Sequence, residues 1–167
     1  MGPDQPFQPD PLRKAQGQRE GELVIHLVGR IGVKHLVNFN YRRLPAVNLA
    51  RPLVEDGRLG DIYYFRATYW QDWPPDPQFP FLWRMDQAVA GAGSMADKGS
   101  HLVDLARFLA GEFMEVAAAT SVFVKERPAA KGMRAVTIDD AAAFVARFEK
   151  SALDLFGTSR MSAGQKR

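Results

Sequence analysis

The sequence predicts an α+β domain with a mostly antiparallel, open β-sheet and helices packed on one face. Near the C-terminus, three apolar segments of strand-like composition follow one another with short connections. Earlier in the chain, an aromatic strand-like segment lies between two segments whose apolar residues recur at helical spacing. The chain has 167 residues, of which 46% are hydrophobic and 25% charged, so it is long enough to bury one globular core.

The N-terminal stretch differs in composition from the rest of the chain. Residues 1–31 begin with a region rich in proline and glutamine, which predicts a flexible or unrelated leader, and residues 32–167 are predicted to be the domain itself. Leu23–Val28 and Lys34–Phe39 are short apolar runs with many branched side chains and are separated by glycines. Both runs predict short buried strands.

Helices and strands alternate from residue 45 onward. Residues 45–57 predict a helix with one buried stripe, because proline opens the segment and glycine follows its last turn. The aromatic residues 59–72 predict a long strand, and the prolines within 73–82 require a loop. A second helix is predicted over residues 97–109. Three further strands are predicted at Glu115–Val124, Ala141–Phe148 and Ala152–Ser159.

The composition argues against several classes of protein. The chain has no cysteine, which leaves no disulfide framework or thiolate metal site and is typical of a cytoplasmic protein. Its start lacks the pattern of a signal peptide, and no apolar run approaches the roughly 18 residues needed to cross a bilayer. The net charge of +3 is spread along the chain among acidic residues. We therefore expect neither nucleic acid nor a membrane as partner.

The stretch from Gly91 to Asp104 is the most informative for chemistry. Asp97 and His101 are four residues apart in a predicted helix, so the carboxylate can orient the imidazole and raise its basicity. The pair would serve as a general base and proton relay. Two simpler interpretations stay open: a helix cap with a surface contact, and a pair of metal ligands. The second is disfavoured because no other ligand cluster accompanies the pair, and no metal is predicted.

A second candidate region surrounds the proline-rich loop. Aromatic side chains crowd this loop at Trp70, Trp73, Phe79, Phe81 and Trp83. Trp83 can stack on the apolar face of a sugar while the neighbouring Arg84 binds its oxygens, although for each aromatic residue burial of the loop against the sheet is the somewhat better explanation. Arg42 follows a predicted strand and is a further candidate for the same cleft.

Residues that would bind a dinucleotide are not identifiable. Gly29 and Gly32 have the wrong spacing for the G-x-G-x-x-G loop that cradles a pyrophosphate, and no acidic residue lies at the expected distance after it. The cofactor-binding residues are therefore unknown, and this chain alone is not expected to hold a dinucleotide tightly.

Three motifs resemble the C-terminal half of Gfo/Idh/MocA oxidoreductases in order and spacing. They are N-Y-R-x-x-P starting at Asn40, W-R at Trp83, and D-x-G-x-H-x-x-D starting at Asp97 after a glycine-rich turn. The resemblance covers roughly Gly32 to Gly164 and implies the dihydrodipicolinate-reductase-like fold of that domain. It also implies that the N-terminal Rossmann domain of such enzymes is missing here, as in a truncated member of the family.

The resemblance implies a function for the candidate residues. The chain would be the substrate-binding and catalytic-base domain of an oxidoreductase that uses NAD or NADP to oxidise a sugar, a polyol or a related hydroxyl compound. His101 would take the hydroxyl proton, Asp97 would orient His101, and Arg42, Trp83 and Arg84 would contact the substrate. The open sheet face would join copies of the chain into a homo-oligomer.

Departures from the family pattern leave other functions open. Lys98 replaces a usually apolar residue inside the motif and is expected either to alter the helix packing or to point to solvent. The family's lysine from an E-K-P motif is missing. Without a Rossmann domain the chain is expected to be inactive, so a non-catalytic interaction module that pairs through its sheet is the main alternative. A stand-alone sugar-binding domain is a third.

Overall fold

The computed structural model describes residues 11–150 and 152–165, which fall into two units that divide after Asn38. The first unit contains one helix, α1 (Pro11–Ile31), followed by residues 33–38 without regular structure. No helix in the described part of the chain is long and apolar enough to cross a membrane. Residues 1–10 of the predicted leader lie outside the described residues.

The two strands predicted in the N-terminal stretch are wrong. Leu23–Val28 lies inside α1, and Lys34–Phe39 forms no strand. The first error arises because a six-residue apolar run fits one and a half helical turns as well as a buried strand. The charged, helix-favouring residues before it extend the segment, and a long segment favours a helix over a short buried strand. The second run has strand-like composition but pairs with no strand among the described residues.

The second unit contains the remaining elements. Its helices are α2 (Pro45–Glu55), the short α3 (Gln87–Ala90) and α4 (Ser100–Ala110). Its strands are β1 (Tyr64–Trp70), β2 (Phe113–Ser121), β3 (Glu126–Ala129), β4 (Gly132–Ala135), β5 (Ala141–Phe148) and β6 (Leu153–Ser159). Short 3₁₀ turns lie at Asn40–Arg43 and Trp83–Met85, and a π-turn at Met95–Gly99 leads into α4. The predicted α+β class is confirmed, and the β3–β4 hairpin is an element that the sequence did not predict.

The sheet has four strands in the order β1-β6-β5-β2. The β2–β5 and β5–β6 pairs are antiparallel, whereas β1 and β6 run parallel, so the sheet is mixed rather than purely antiparallel. Parallel strands need a long connection that returns the chain to the end of the sheet from which it left. The segment between β1 and β6 is long enough for this and places β6 beside the edge strand β1. The predicted strand 59–72 is shorter at both ends, and its last residues form only an isolated bridge between Asp72 and Met161.

One face of the sheet forms the core with α4. Alternate residues of β5 are buried, and their aromatic rings stack on the neighbouring strands: Phe144 on Phe156 at 4.2 Å between centroids, and Phe148 on Phe113 at 4.9 Å. Leu102 and Ala106 of α4 belong to the same cluster. A buried aromatic side chain contributes about 1.5 to 3 kcal/mol by removal of apolar surface from water. This layer therefore fixes the position of α4.

A second, smaller core holds the proline-rich loop. Met85 packs with Val136 and Ile138, which follow the β3–β4 hairpin, and Trp73 and Phe79 pack against this group. The guanidinium of the fully buried Arg127 donates to backbone carbonyls of the loop, at 2.6 Å to Pro74 and 2.7 Å to Asp76. Trp73, Phe79 and Phe81 thus bury the loop, as the simpler interpretation of the aromatic cluster predicts.

The opposite face of the sheet is open. Val145 and Leu155, which are cross-strand partners, point away from α4 and are 51% and 38% exposed. At the β1 edge the ring of Trp70 lies over Gly157, where a Cβ atom would come within 2.4 Å of the ring. A cavity of about 320 Å³ on this open face is lined largely by apolar side chains, including Tyr64 and Leu153, together with Glu115 and Arg147, which form an ion pair at 3.4 Å. The face is largely apolar and is uncovered within the described residues.

A buried acid lies in β6. Asp154 is 3% exposed, and neither of its carboxyl oxygens has a hydrogen-bond partner among the described residues. Its cross-strand neighbours are Phe65 and Ala146. Burial raises the pKa of the Asp154 carboxyl to about 7, because the charged form loses its hydration.

At pH values between these two, the folded chain holds a proton on Asp154, whereas the unfolded chain, with a carboxyl pKa of about 4, has lost it. Unfolding releases this proton between about pH 4 and pH 7, so this group's contribution to stability falls as the pH rises through that window. We expect Asp154→Asn to match the original chain at pH 4 and to be more stable at pH 8, by about 1 to 3 kcal/mol. Urea unfolding at both pH values measures this. Asp61→Asn, at an exposed position, is the control. An unchanged pH profile in Asp154→Asn would contradict the prediction.

Candidate functional site

The glycine-rich segment before α4 is held by Asp139. The backbone N–H of Met95 donates to the Asp139 carboxylate at 2.8 Å, and the N–H of Ser94 donates to its carbonyl at 3.1 Å. A Cβ atom at Gly93 would lie 2.1 Å from the Asp139 side chain, so only glycine permits this approach. The π-turn then begins at Met95, two residues before the predicted helix start. A π-turn leading into a helix is common at functional sites.

Asp97 lies in this π-turn and is surrounded by cations. Its side chain is 49% exposed, and Oδ2 accepts a hydrogen bond from Lys98 Nζ at 3.0 Å and lies 3.6 Å from Arg160 Nη2. Partial burial opposes ionisation of this carboxyl, but the positive charges of Lys98, Arg160 and Arg84 outweigh that effect and hold its pKa below the usual value. Asp97 is therefore ionised at neutral pH.

His101 lies at the start of α4 in an aromatic environment. Its ring is 4.9 Å from the ring of Tyr41, 5.6 Å from Phe39 and 6.4 Å from Tyr69, measured between centroids. The Nδ1 atom is buried and has no hydrogen-bond partner among the described residues. In particular, His101 makes no hydrogen bond to Asp97. The imidazole is thus oriented by aromatic packing, in contrast to the orientation by Asp97 that the spacing predicts.

Hydrogen bonds link the aromatic side chains beside His101 to the proline-rich loop. The Tyr41 hydroxyl donates to the Tyr69 hydroxyl at 2.7 Å, and the buried Gln71 also donates to Tyr69, at 3.4 Å. The indole N–H of Trp73 donates to Gln71 at 3.1 Å. This arrangement fixes the ring of Tyr69 and, with it, one side of the histidine's environment.

A cavity of about 300 Å³ opens beside Asp97. Its lining consists of Trp83, Arg84, Ala90, Ala92, Ala96, Asp97 and Arg160. The guanidinium of Arg84 lies over the Trp83 ring at 4.5 Å from the centroid, and Arg160 donates to the Arg84 carbonyl at 3.3 Å. A flat aromatic side chain next to charged hydrogen-bonding groups suits a polar ring compound such as a sugar.

Arg42 is engaged elsewhere. Its Nε and Nη2 atoms donate to the two carboxylate oxygens of Asp104 at 2.6 and 2.5 Å, and its guanidinium lies 5.0 Å from the centre of the Phe108 ring. Asp104 is buried within α4. The fork-like pair ties the 3₁₀ turn at Asn40–Arg43 to α4 and leaves Arg42 outside the lining of the cavity.

The structure brings some of the predicted site residues together and separates others. Asp97, Trp83 and Arg84 line one cavity, whereas His101 lies against the aromatic group and Arg42 against Asp104. The sequence reasoning missed Arg160, although an arginine directly after a strand end is a signal that can be recognised. It also left open where Lys98 points, and the structure shows this side chain buried, at 1% exposure. No group of three or more His, Asp or Glu side chains in the described part of the chain converges as metal ligands do.

Known proteins share this domain. A family model described as the GFO/IDH/MocA C-terminal domain matches residues 47–167. The chain belongs to the GFO/IDH/MocA family. The resemblance inferred from the three motifs is thereby confirmed, and so is the fold.

Relatives within the GFO/IDH/MocA family include sugar dehydrogenases. The chain is 42% identical over 118 residues to levoglucosan dehydrogenase of Pseudarthrobacter phenanthrenivorans, which covers 71% of this chain and 30% of that protein. It is 32% identical over 92 residues to D-apiose dehydrogenase of Paraburkholderia graminis, covering 55% of this chain and 23% of that protein. A solved structure of levoglucosan dehydrogenase with NADH and L-sorbose superimposes with a TM-score of 0.77 at 40% identity, over 81% of this chain and 36% of that one. The chain spans less than a third of the length of these two curated relatives.

The Arg42–Asp104 pair is expected to be structural. Asp104→Ala leaves the guanidinium without its two acceptors, and we expect a loss of about 1.5 to 3 kcal/mol in the free energy of unfolding. The coupling energy from a double-mutant cycle with Arg42→Met measures the pair itself. The exposed pair Arg107–Glu112 is the matched control, for which a much smaller coupling energy is expected because solvent screens the charges. Equal coupling energies for the two pairs would contradict this assignment.

Proposed function

We propose that this chain is the substrate-side domain of an NAD(P)-dependent oxidoreductase that acts on a hydroxyl group of a sugar or polyol. The observation that supports the proposal is the cavity in which Asp97 adjoins Trp83 and Arg84, close in sequence to His101 on the same helical segment. Sugar dehydrogenases among the relatives, one of them solved with NADH and a sugar, support the same reaction class.

The cavity suits only one end of a dinucleotide. Ala92 and Ala96 offer an apolar part of the lining against which a nicotinamide ring would pack. The described residues contain no glycine-rich phosphate loop. The phosphates of NAD or NADP would therefore need a second domain, and the chain would be inactive without one. When bound, the cofactor accepts a hydride from the carbon that carries the substrate hydroxyl.

The side chains of this chain would perform the proton chemistry. His101 takes the hydroxyl proton as general base, in the orientation given by the surrounding aromatic rings. Asp97 is held ionised and accepts hydrogen bonds from other hydroxyl groups of the sugar. Arg84 donates hydrogen bonds to sugar oxygens while Trp83 stacks on the apolar face of the ring. Arg42 acts indirectly, because it anchors the turn that carries Tyr41 to α4.

The open sheet face supports a second function, the formation of a homo-oligomer. Its apolar side chains Val145, Leu153 and Leu155 are exposed side by side. Next to them the ring of Trp70 lies over the backbone at Gly157. An apolar patch of this kind commonly marks a protein contact, and two copies of the same face can meet about a twofold axis. A non-catalytic interaction module would need only this face and not the cavity.

A hybrid protein tests the enzymatic proposal. The dinucleotide-binding part of levoglucosan dehydrogenase is joined to residues 39–167 of this chain, and NADH and NADPH binding is followed by fluorescence. We expect the original chain to bind neither. The hybrid is expected to bind at least one and to reduce NAD or NADP in the presence of a sugar such as levoglucosan. His101→Gln in the hybrid should lower the rate by about 10²- to 10⁴-fold, because the base is lost.

Arg107→Gln, on the exposed side of the same helix, is the control and should retain the full rate. A folded hybrid that binds NADH but oxidises the sugar equally fast without His101 would disprove the role of this residue. A folded hybrid that binds no cofactor and oxidises no sugar would disprove the enzymatic function and favour the interaction module.

The oligomer is tested separately by sedimentation of the original chain. We expect a dimer that Leu155→Asp converts to a monomer, because the new charge would be buried in the contact. Val89→Asp, at an exposed position in α3, should leave the dimer intact. A monomeric original chain at concentrations of about 100 μM would contradict the proposal, since stable contacts of standard size reach micromolar affinity or better.

A further inference from the structure

Lys98 is buried beside the cavity that contains Asp97. It is 1% exposed, and its Nζ atom donates to Asp97 Oδ2 at 3.0 Å. The lysine lies in the π-turn, whose neighbouring residue Gly99 is also buried. Lys98 therefore does not point to solvent, which was one of the two expectations for it. It approaches the carboxylate from the protein interior.

Burial of the Lys98 ammonium group has a cost in stability. It removes the hydration of the charge, and an ion pair with a half-exposed carboxylate repays only part of that cost. An apolar side chain of similar length would fill the same space without the cost. The lysine is thus better explained by what its charge does to Asp97 than by what it adds to the core.

The contacts of Asp97 show how the charge of Lys98 acts on its carboxylate. Its carboxylate faces Lys98 on one side, and Arg160 and Arg84 from the elements packed against it. Arg160 is itself held by its hydrogen bond to the Arg84 carbonyl. With Oδ2 bound by Lys98, the carboxylate lines the cavity and makes no hydrogen bond to His101.

We propose that Lys98 is a positioning residue that holds the Asp97 carboxylate in the cavity beside Trp83 and Arg84 and keeps it from bonding to His101. Resting on the proposed function, this assigns Asp97 to the recognition of substrate hydroxyl groups and leaves the orientation of the base to Tyr41 and Phe39. Lys98 acts through Asp97 and needs no contact with the substrate.

The test is a carbon-13 NMR titration of the Asp97 carboxyl in the 167-residue chain, with the signal assigned by its loss in Asp97→Asn. In Lys98→Met we expect the titration midpoint of Asp97 to move to higher pH, since the closest cation is lost while Arg160 and Arg84 remain. Lys98→Arg keeps the charge and should restore a midpoint close to that of the original chain. Arg107→Met, which removes an exposed cation on the same helix, should leave the midpoint unchanged.

Thermal unfolding of the same variants separates positioning from a structural role. Lys98→Met should unfold at the same or a higher temperature, because the buried charge is removed, and Lys98→Gln provides a second neutral variant if the methionine form does not fold. An Asp97 midpoint that stays unchanged in a folded neutral variant would overturn the proposal. The titration requires neither cofactor nor sugar, so its failure is distinct from a failure of the hybrid enzyme to turn over.

Discussion

The one-sided burial of the sheet is the constraint on which the rest of the second unit depends. The strict alternation of buried and exposed residues in β5 places Phe144 and Phe148 against α4 and leaves Val145 on the open side. A shift of one residue in the pairing of β5 would exchange the two faces, so the register and the position of α4 are fixed together. Because the π-turn leads directly into α4, the same packing also determines where Asp97 and His101 lie.

Asp97 lies in the π-turn and His101 follows it in the regular helix, and no hydrogen bond joins the two side chains. A regular helix would place side chains four residues apart on one face, in contact with each other. Here Asp139 holds the preceding segment, the π-turn precedes the regular helix, and Asp97 bonds to Lys98 while His101 packs among aromatic rings. The carboxylate and the imidazole thereby acquire independent environments, one polar and cationic and the other aromatic.

The sequence predicted those parts of the fold that follow from local periodicity. The alternation in Ala141–Phe148 and the helical stripe after Pro45 are strong patterns, and both elements appear where expected, although the stripe of α2 is only partly buried within the described residues. The apolar run Leu23–Val28 was assigned wrongly because its length fits either structure. Other features depend on contacts between residues far apart in sequence, namely the parallel pairing of β1 with β6 and the pairing of Arg42 with Asp104. The burial of Lys98 depends on the local geometry of the π-turn. Periodicity carries no information about these.

The charged side chains around the cavity determine its net charge. Lys98, Arg160 and Arg84 surround a single carboxylate, so the cavity has a net positive charge although its acid is ionised. In the proposed reaction, negative charge would develop on the alcohol oxygen as the proton leaves, and nearby cations would stabilise that charge. Asp97 would offset part of this effect and would offer an acceptor for neutral hydroxyl groups. On this proposal the balance between the two roles depends on how firmly Lys98 holds the carboxylate, so this buried lysine would be the side chain through which the local sequence tunes the site.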